Sequence, residues 1–152
     1  MAAEIERKFL VSPAWQPRDE GTYFKQGYLS SVKERVVRVR IAGDKAKLTI
    51  KGVTHGVSRA EYEYEIPVAD ARELLDLCEQ PLIEKRRHLE EVGGKTFEID
   101  VFLGANQGLI VAELELASED EAFAKPPWLG VEVSGDERYY NNNLIAKPFT
   151  TW

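Results

Sequence analysis

The stretch Lys45-Ala46-Lys47-Leu48-Thr49-Ile50-Lys51 alternates polar and apolar side chains from end to end. Successive side chains of a β-strand point to opposite faces, so this period of two predicts a strand with one polar face. The same alternation runs through most of the chain and indicates strands at residues 4–11, 23–29, 35–41, 45–51, 58–66, 82–90, 96–102 and 109–116. An even number of strands joined by glycine-containing hairpin loops suits an up-and-down sheet that closes on itself.

Three segments outside the predicted strands have helical patterns instead. Residues 69–79 carry an apolar stripe at helical spacing. Ser118 and Ser134 are each followed three residues later by a glutamate, the capping-box spacing that begins a helix. The first signal predicts a short helix before a pair of prolines, and the second predicts a helix from about residue 136 to 146. The sequence therefore predicts one α+β domain over residues 1–152, an eight-stranded antiparallel closed β-barrel with helices packed outside.

Composition and charge narrow the classes of function that are open to the chain. The formal net charge of -6 disfavours non-specific binding to nucleic acids or membrane surfaces, which requires a basic balance. No run of about 18 apolar residues and no signal peptide is visible, and the single cysteine, Cys78, fits a reducing compartment. The sequence therefore predicts a cytoplasmic protein with neither a nucleic-acid nor a membrane partner.

The polar faces of the predicted strands carry few neutral side chains. Their carboxylates are Glu4, Glu6, Glu61, Glu63, Glu65, Glu98, Asp100, Glu113 and Glu115, and their cations are Lys8, Arg38, Arg40, Lys45, Lys47, Lys51, Arg59, Lys85 and Arg87. Like charges recur two residues apart, about 6.5–7 Å along a strand, where they repel one another. The pattern therefore favours ligands that neutralise both sets of charges. An ordinary antiparallel sheet with one charged, solvated face stays open as the plainer interpretation.

A closed sheet would turn this charged face inward, around space for one small ligand. Carboxylates without histidine or cysteine among them are hard oxygen ligands, which suit Mg²⁺ or Mn²⁺ better than Zn²⁺. Arginine and lysine side chains opposite them suit phosphate oxygens. A polyphosphate that carries a divalent metal would satisfy both sets of charges, so the residues point to phosphoryl transfer.

The charged positions also follow a known family pattern. The first predicted strand begins with Glu4-x-Glu6-x-Lys8. Further elements follow in order: Gln26-Gly27-Tyr28-Leu29, Arg38-x-Arg40, Thr49-x-Lys51, Arg59-x-Glu61-x-Glu63, Lys85-x-Arg87, Asp100, Glu113-x-Glu115 and Tyr140-x-x-x-Leu144. In these residues, which span nearly the whole chain, the sequence resembles the CYTH domain, or triphosphate tunnel metalloenzyme, superfamily.

The resemblance implies an eight-stranded antiparallel tunnel that binds triphosphate with divalent cations and is closed at one end by a C-terminal plug helix. It implies metal ligands at Glu4, Glu6, Glu61, Glu63, Asp100, Glu113 and Glu115, and phosphate-binding cations at Lys8, Arg38, Arg40, Lys51, Arg59, Lys85 and Arg87. Short bacterial members resemble inorganic triphosphatases, which cleave tripolyphosphate to pyrophosphate and phosphate. The expected cofactor is Mg²⁺ or Mn²⁺ and the expected partner a small-molecule triphosphate, and a homodimer is compatible with the family.

The group that activates the attacking water is left open by the sequence. The candidates are Tyr28, Lys85 and Glu63, which are an inward-facing phenol, a tunnel lysine and a carboxylate near a second metal. His55 and His88 have no histidine partner at metal-ligand spacing and are interpreted as non-functional.

Three other activities fit the same tunnel and stay open at this point. They are cyclisation of ATP, as in class IV adenylate cyclases, hydrolysis of thiamine triphosphate, and binding of polyphosphate without turnover. An organic triphosphate needs a recognition surface for its base or thiazolium beyond the tunnel mouth, and no sequence feature clearly provides one. Hydrolysis of inorganic tripolyphosphate is therefore the leading hypothesis.

Overall fold

The computed structural model describes the backbone of residues 2–152 and the side chains of residues 5–152, and within them eight antiparallel strands close into a barrel. The strands are β1 (Ala2–Val11), β2 (Thr22–Ser30), β3 (Val36–Ala42), β4 (Lys45–Lys51), β5 (Ser58–Ile66), β6 (Ile83–Val92), β7 (Lys95–Phe102) and β8 (Ile110–Glu115). They are hydrogen-bonded in the order β5-β4-β3-β2-β6-β7-β8-β1, and β1 returns to pair with β5. The predicted closed barrel is therefore confirmed.

One edge of strand β1 pairs with two different strands in succession, because β5 pairs only with the first part of β1. The part from Ala2 to Ile5 pairs with β5. Further along, a short ninth strand, β9 (Leu129–Glu132), takes over that edge, with Phe9 opposite Glu132. Strand β9 is not predicted from the sequence, because its pairing depends on an edge that only the closed barrel creates.

The strand register places opposite charges beside one another on the inner face of the barrel. The facing pairs include Lys8 with Glu113, Lys51 with Glu61, and Arg87 with Asp100. Directly opposite residues have Cβ atoms about 4.5–5.5 Å apart, so their side chains are close enough to interact. Attraction across strands therefore offsets part of the repulsion that the sequence predicts along each strand.

Helix α1 (Val68–Asp76) covers the outside of the barrel at β2, β3 and β4. Its buried residue Leu75 packs into a hydrophobic cluster on the outer face of β3 and β4. Gly27 is needed where the chain after α1 crosses β2, because a Cβ at this position would lie 2.8 Å from the Cβ of Cys78. The helix predicted over residues 69–79 is confirmed in this shorter form.

The helix predicted after Ser118 does not form, and that prediction is wrong. Residues 117–128 run as turns and extended chain. Glu121 accepts a hydrogen bond from the backbone N–H of Ala117 at 2.6 Å, and its other carboxylate oxygen pairs with Lys95 of β7. The glutamate that the capping box requires is therefore bonded outside the segment it would cap.

The helix predicted over residues 136–146 forms only in part. A 3₁₀ turn at Glu137–Tyr139 is followed by Tyr140, whose backbone is extended, and then by α2 (Asn141–Ala146). Leu144 of α2 is fully buried in a cluster with side chains from one end of the barrel, so the C-terminal segment covers that end as the expected plug. No helix within residues 2–152 is both long and apolar enough to cross a membrane.

Candidate active site

The barrel encloses a cavity of about 860 Å³ that is lined by side chains from all eight of its strands. The lining is completed by Ser31, Lys33, the loop around Gly56, Ser134, Glu137 and the residues Tyr140–Asn143. Its charged members are Glu6, Lys8, Lys33, Arg38, Arg40, Lys45, Lys47, Lys51, Arg59, Glu61, Glu63, Arg87, Glu98, Glu113, Glu115 and Glu137. The charged face of the sheet therefore lies inside the barrel, and the interpretation as an open sheet with a solvated face is wrong.

Three carboxylates converge on one side of this cavity. Carboxylate oxygens of Glu6, Glu98 and Glu113 lie within 4.8 Å of one another. The register explains the cluster. Glu113 on β8 lies opposite Glu98 on β7 and, on its other side, opposite Lys8 on β1. Glu6 lies two residues before Lys8 on β1, so its carboxylate is on the same inner face. Hard oxygen ligands at this spacing fit a divalent cation such as Mg²⁺, which uses few carboxylates and keeps part of its water. These residues could therefore hold the metal that the family resemblance implies.

The carboxylates of this cluster differ in how readily they ionise. Burial raises the pKa of Glu113, but Lys8 and Arg87 outweigh it and hold that pKa well below its usual range. For Glu98 burial outweighs the attraction to Arg87, and its pKa lies above its usual range. Glu113 is therefore ionised before any metal binds, and a bound cation would favour the ionised form of both Glu113 and Glu98.

The other predicted metal ligands lie around this cluster or apart from it. Glu115 lines the cavity and lies opposite Glu6 in the register. Glu61 and Glu63 line the cavity from β5, each with a carboxylate oxygen within 3.4 Å of a lysine of β4. The side chain of Glu4 lies outside the described residues, so its predicted role is not placed.

Asp100 is fully buried and, like Lys85, is missing from the described residues that line the cavity. It accepts hydrogen bonds from Lys85 Nζ at 2.6 Å and from Nε and Nη2 of Arg87 at 2.8 and 2.9 Å. Burial raises the pKa of Asp100, but Lys85 and Arg87 outweigh it, so the carboxylate is ionised. Both oxygens are held by cations, and this arrangement does not favour the predicted role of Asp100 as a metal ligand.

Six of the seven predicted phosphate-binding cations line the cavity, and Lys85 is the exception. They are Lys8, Arg38, Arg40, Lys51, Arg59 and Arg87. The ammonium of Lys8 donates to the backbone oxygen of Tyr139 at 3.1 Å, and Arg38 donates to Thr49 at 3.3 Å. The fold therefore gathers cations from five strands around one space that also contains the carboxylate cluster.

The three candidate catalytic residues have different surroundings. Tyr28 lines the cavity and is only 5% exposed. Burial raises the pKa of Glu63, but a hydrogen bond from Lys47 helps to hold it below its usual range, which makes Glu63 a weak base. Burial lowers the pKa of Lys85 to about 7, against the opposing attraction of Asp100. Lys85 is therefore a candidate whose protonation changes near neutral pH.

Three features of the lining have no role predicted from the sequence. Glu98 belongs to the carboxylate cluster, Phe24 places an aromatic ring among the cations, and Asn141–Asn143 of α2 contribute to the lining. Strand alternation places Glu98 and Phe24 on the inner faces of β7 and β2, so their orientation was predictable. Their contacts depend on neighbouring strands, which one strand's pattern does not reveal.

A closed antiparallel tunnel lined by cations and by converging carboxylates defines a protein whose interior suits a polyanion together with a divalent cation. Residues 2–147 match the model of the CYTH domain. The chain therefore belongs to the CYTH domain family, which confirms the resemblance seen in the sequence.

Relatives of the chain resemble it over nearly its full length. The inorganic triphosphatase of Acetivibrio thermocellus is 50% identical over 151 residues, which cover 98% of this chain and 97% of the relative. The inorganic triphosphatase of Nitrosomonas europaea is 39% identical over 145 residues, with 93% and 95% covered. The crystal structure of the inorganic triphosphatase NE1496 is similar with a TM-score of 0.68 and 36% identity over 95% of each chain.

Proposed function

We propose that this chain hydrolyses inorganic tripolyphosphate to pyrophosphate and phosphate inside the tunnel, with Mg²⁺ or Mn²⁺ as cofactor. The observation that carries the proposal is the presence of a cation-rich wall and a cluster of three carboxylates in one cavity. The relatives at 50% and 39% identity, both named inorganic triphosphatases, support the same reaction.

Glu6, Glu98 and Glu113 would hold the divalent cation, which when bound neutralises phosphate charge and favours in-line attack on phosphorus. The six cations that line the cavity would bind the phosphate oxygens, the arginines as forks and the lysines as point charges. Burial lowers the pKa of Arg40 most, and the nearby charges of Arg38 and Arg87 lower it further, so a bound triphosphate would also relieve repulsion among these arginines. Binding and charge neutralisation therefore supply most of the catalysis.

We further propose that the proton of the attacking water passes through one bridging water to a base behind the cavity wall, the buried Lys85. Its pKa of about 7 allows a substantial fraction of neutral amine at working pH, as a general base requires. Its ammonium shares Asp100 with the guanidinium of Arg87, which lines the cavity, so the two groups are held side by side. Tyr28 remains the second candidate because its side chain lines the cavity.

The turnover rate should rise with pH through the pKa of Lys85. An amine accepts a proton only when it is neutral, so kcat/KM increases up to a pH of about 7 and levels off above it. Lys85→Gln should remove this rise and lower kcat by about a hundredfold or more. A pH–rate profile measures both effects, with Lys95→Gln as a control outside the cavity. An unchanged rise in the Lys85 variant would assign the titration to another group.

The identity of the products distinguishes the proposed reaction from its alternatives. The purified protein is incubated separately with tripolyphosphate, ATP and thiamine triphosphate, with and without Mg²⁺ or Mn²⁺. We expect preferential and metal-dependent conversion of tripolyphosphate. Cyclic AMP from ATP, or preferential cleavage of thiamine triphosphate, would contradict the proposal, and tight binding without products would indicate a binding module.

The proposal includes a cytoplasmic location. The single cysteine, Cys78, cannot form a disulfide within the chain, which fits the reducing environment of the cytoplasm. Its partner is a small-molecule triphosphate, and the net charge of -6 argues against nucleic acid and membrane partners. A single domain over residues 1–152 and a homodimer in solution stay predictions, and sedimentation of the purified protein measures the second.

A further inference from the structure

The ring of Phe24 lies among cations on the inner face of β2. The guanidinium carbons of Arg87 and Arg40 lie 4.7 and 4.8 Å from the ring centre, and Lys85 Nζ lies 5.9 Å from it. All three distances are within the range of cation–π attraction. Phe24 belongs to none of the hydrophobic clusters formed by the described residues, although it is only 7% exposed. Its surroundings are therefore those of a cation-binding ring and not of a core residue.

Gln26, the next inward residue of β2, holds Arg40 from another side. Its Oε1 accepts a hydrogen bond from Arg40 Nε at 2.6 Å, and the two residues lie opposite each other across β2 and β3. Gln26 is completely buried, and its Nε2 has no hydrogen-bond partner among the described residues. A buried donor without a partner destabilises the fold, so this residue type is not what packing alone would favour here.

Both groups hold Arg40 without neutralising it. Among the described residues, no carboxylate forms an ion pair with this guanidinium, which lines the cavity. Burial, with Arg38 and Arg87 nearby, lowers the pKa of Arg40 to about 9, as expected for a cation whose counter-charge is not supplied by the protein. A carboxylate in place of Gln26 would bind Nε more strongly, but it would cancel the charge that an anion needs.

From this geometry we propose that Phe24 and Gln26 are positioning residues, which fix Arg40 with neutral partners so that its full charge stays available to the triphosphate. The inference rests on the proposed function, because it takes inorganic tripolyphosphate as the ligand of the tunnel. With Nε bonded to Gln26 and the guanidinium against Phe24, the terminal Nη groups are left for phosphate oxygens. Little side-chain freedom then remains to be lost on binding.

Gln26→Glu separates this role from a structural one. The variant keeps the shape of the side chain, removes the unpartnered donor and strengthens the hydrogen bond to Arg40, so the thermal midpoint should stay the same or rise. The dissociation constant for tripolyphosphate, measured by calorimetry with a chelator present to prevent turnover, should nevertheless rise by about tenfold or more. Gln107→Glu is the matched control, because it adds the same charge at an exposed loop position and should leave the constant within about twofold. Unweakened binding by Gln26→Glu would overturn the proposal.

Phe24 is tested without changing its size. Replacement by phenylalanines with one, two and three ring fluorines lowers the negative potential of the ring face stepwise while keeping its shape. The proposal predicts a stepwise rise in the dissociation constant for tripolyphosphate, reaching about tenfold with three fluorines. The same series at Phe97, a buried ring outside the cavity, should show no trend. A flat series at Phe24 would overturn the proposal.

The unchanged protein serves as the reference in both experiments. If it fails to bind tripolyphosphate at all, the proposed function falls. If it binds tripolyphosphate but the Gln26 and Phe24 variants bind equally well, only the positioning roles fall. The two failures are therefore distinguishable on the same samples.

Discussion

Glu113→Gln is expected to lower Mg²⁺-dependent turnover of tripolyphosphate by about a thousandfold, on the order of 4 kcal/mol of transition-state stabilisation. Glu113 is buried, belongs to the carboxylate cluster with Glu6 and Glu98, and is ionised because nearby cations lower its pKa. Glutamine keeps the shape but removes the negative charge that a divalent cation requires. The loss should therefore appear in kcat and in the concentration of Mg²⁺ needed for half-maximal rate.

The stability of this variant should fall as well as its activity. Lys8, whose Nζ lies 3.8 Å from Glu113, and Arg87 outweigh the burial of Glu113, so removing its charge leaves buried cations less compensated and the thermal midpoint measured with a chelator should fall. Glu65→Gln is the matched control, because Glu65 lies on the same charged face of β5 but is largely exposed and does not line the cavity. Activity of Glu113→Gln close to that of Glu65→Gln would refute the assignment of the carboxylate cluster as the metal site.

Asp100→Asn is expected to reduce the free energy of unfolding by about 3–5 kcal/mol. The substitution leaves Lys85 and Arg87 buried without the carboxylate that both of them contact at 2.6–2.9 Å. Removing one partner of a buried ion pair destabilises the fold more than removing one partner of an exposed pair, because the remaining buried charge stays desolvated. The destabilisation should lessen as the pH rises, because Lys85 can then lose its proton while Arg87 stays charged.

Denaturant unfolding at several pH values measures this effect. Asp136→Asn removes a carboxylate that pairs with Arg138 at 2.7 Å on the surface, and it should leave the unfolding midpoint almost unchanged. An equally small effect of Asp100→Asn would contradict the structural role assigned to Asp100. A large loss of metal affinity at full stability would instead restore the role as metal ligand that the family resemblance implies.

The barrel could be predicted from sequence because alternation is a local property of each strand. In β4 and β5 charged residues alternate with apolar residues such as Leu48 and Tyr64, so one face is assigned without knowledge of the partner strands. β9 could not be predicted in this way, because its residues pair with an edge of β1 that β5 vacates. The C-terminal helix was predicted as continuous, but its break at Tyr140 depends on packing across the end of the barrel.

The candidate site could be predicted as a set of inward charges, but the partner of each charge could not. Glu98 and Asp100 both point inward from β7, two residues apart. In the register Asp100 lies opposite Arg87, whereas Glu98 lies between Leu89 and Glu113, so only Glu98 joins the carboxylate cluster. The role of Phe24 could not be predicted for a related reason, since an aromatic residue indicates a core position until its neighbours are known to be cations.

The claim that the tunnel cleaves tripolyphosphate only with a divalent metal is tested most directly by phosphorus NMR on a single sample. The protein is mixed with tripolyphosphate and a chelator, the spectrum is followed, and excess Mg²⁺ is then added. We expect unchanged tripolyphosphate before the addition and conversion to equal amounts of pyrophosphate and phosphate after it. Conversion before Mg²⁺ is added, or none after either Mg²⁺ or Mn²⁺, would contradict the claim.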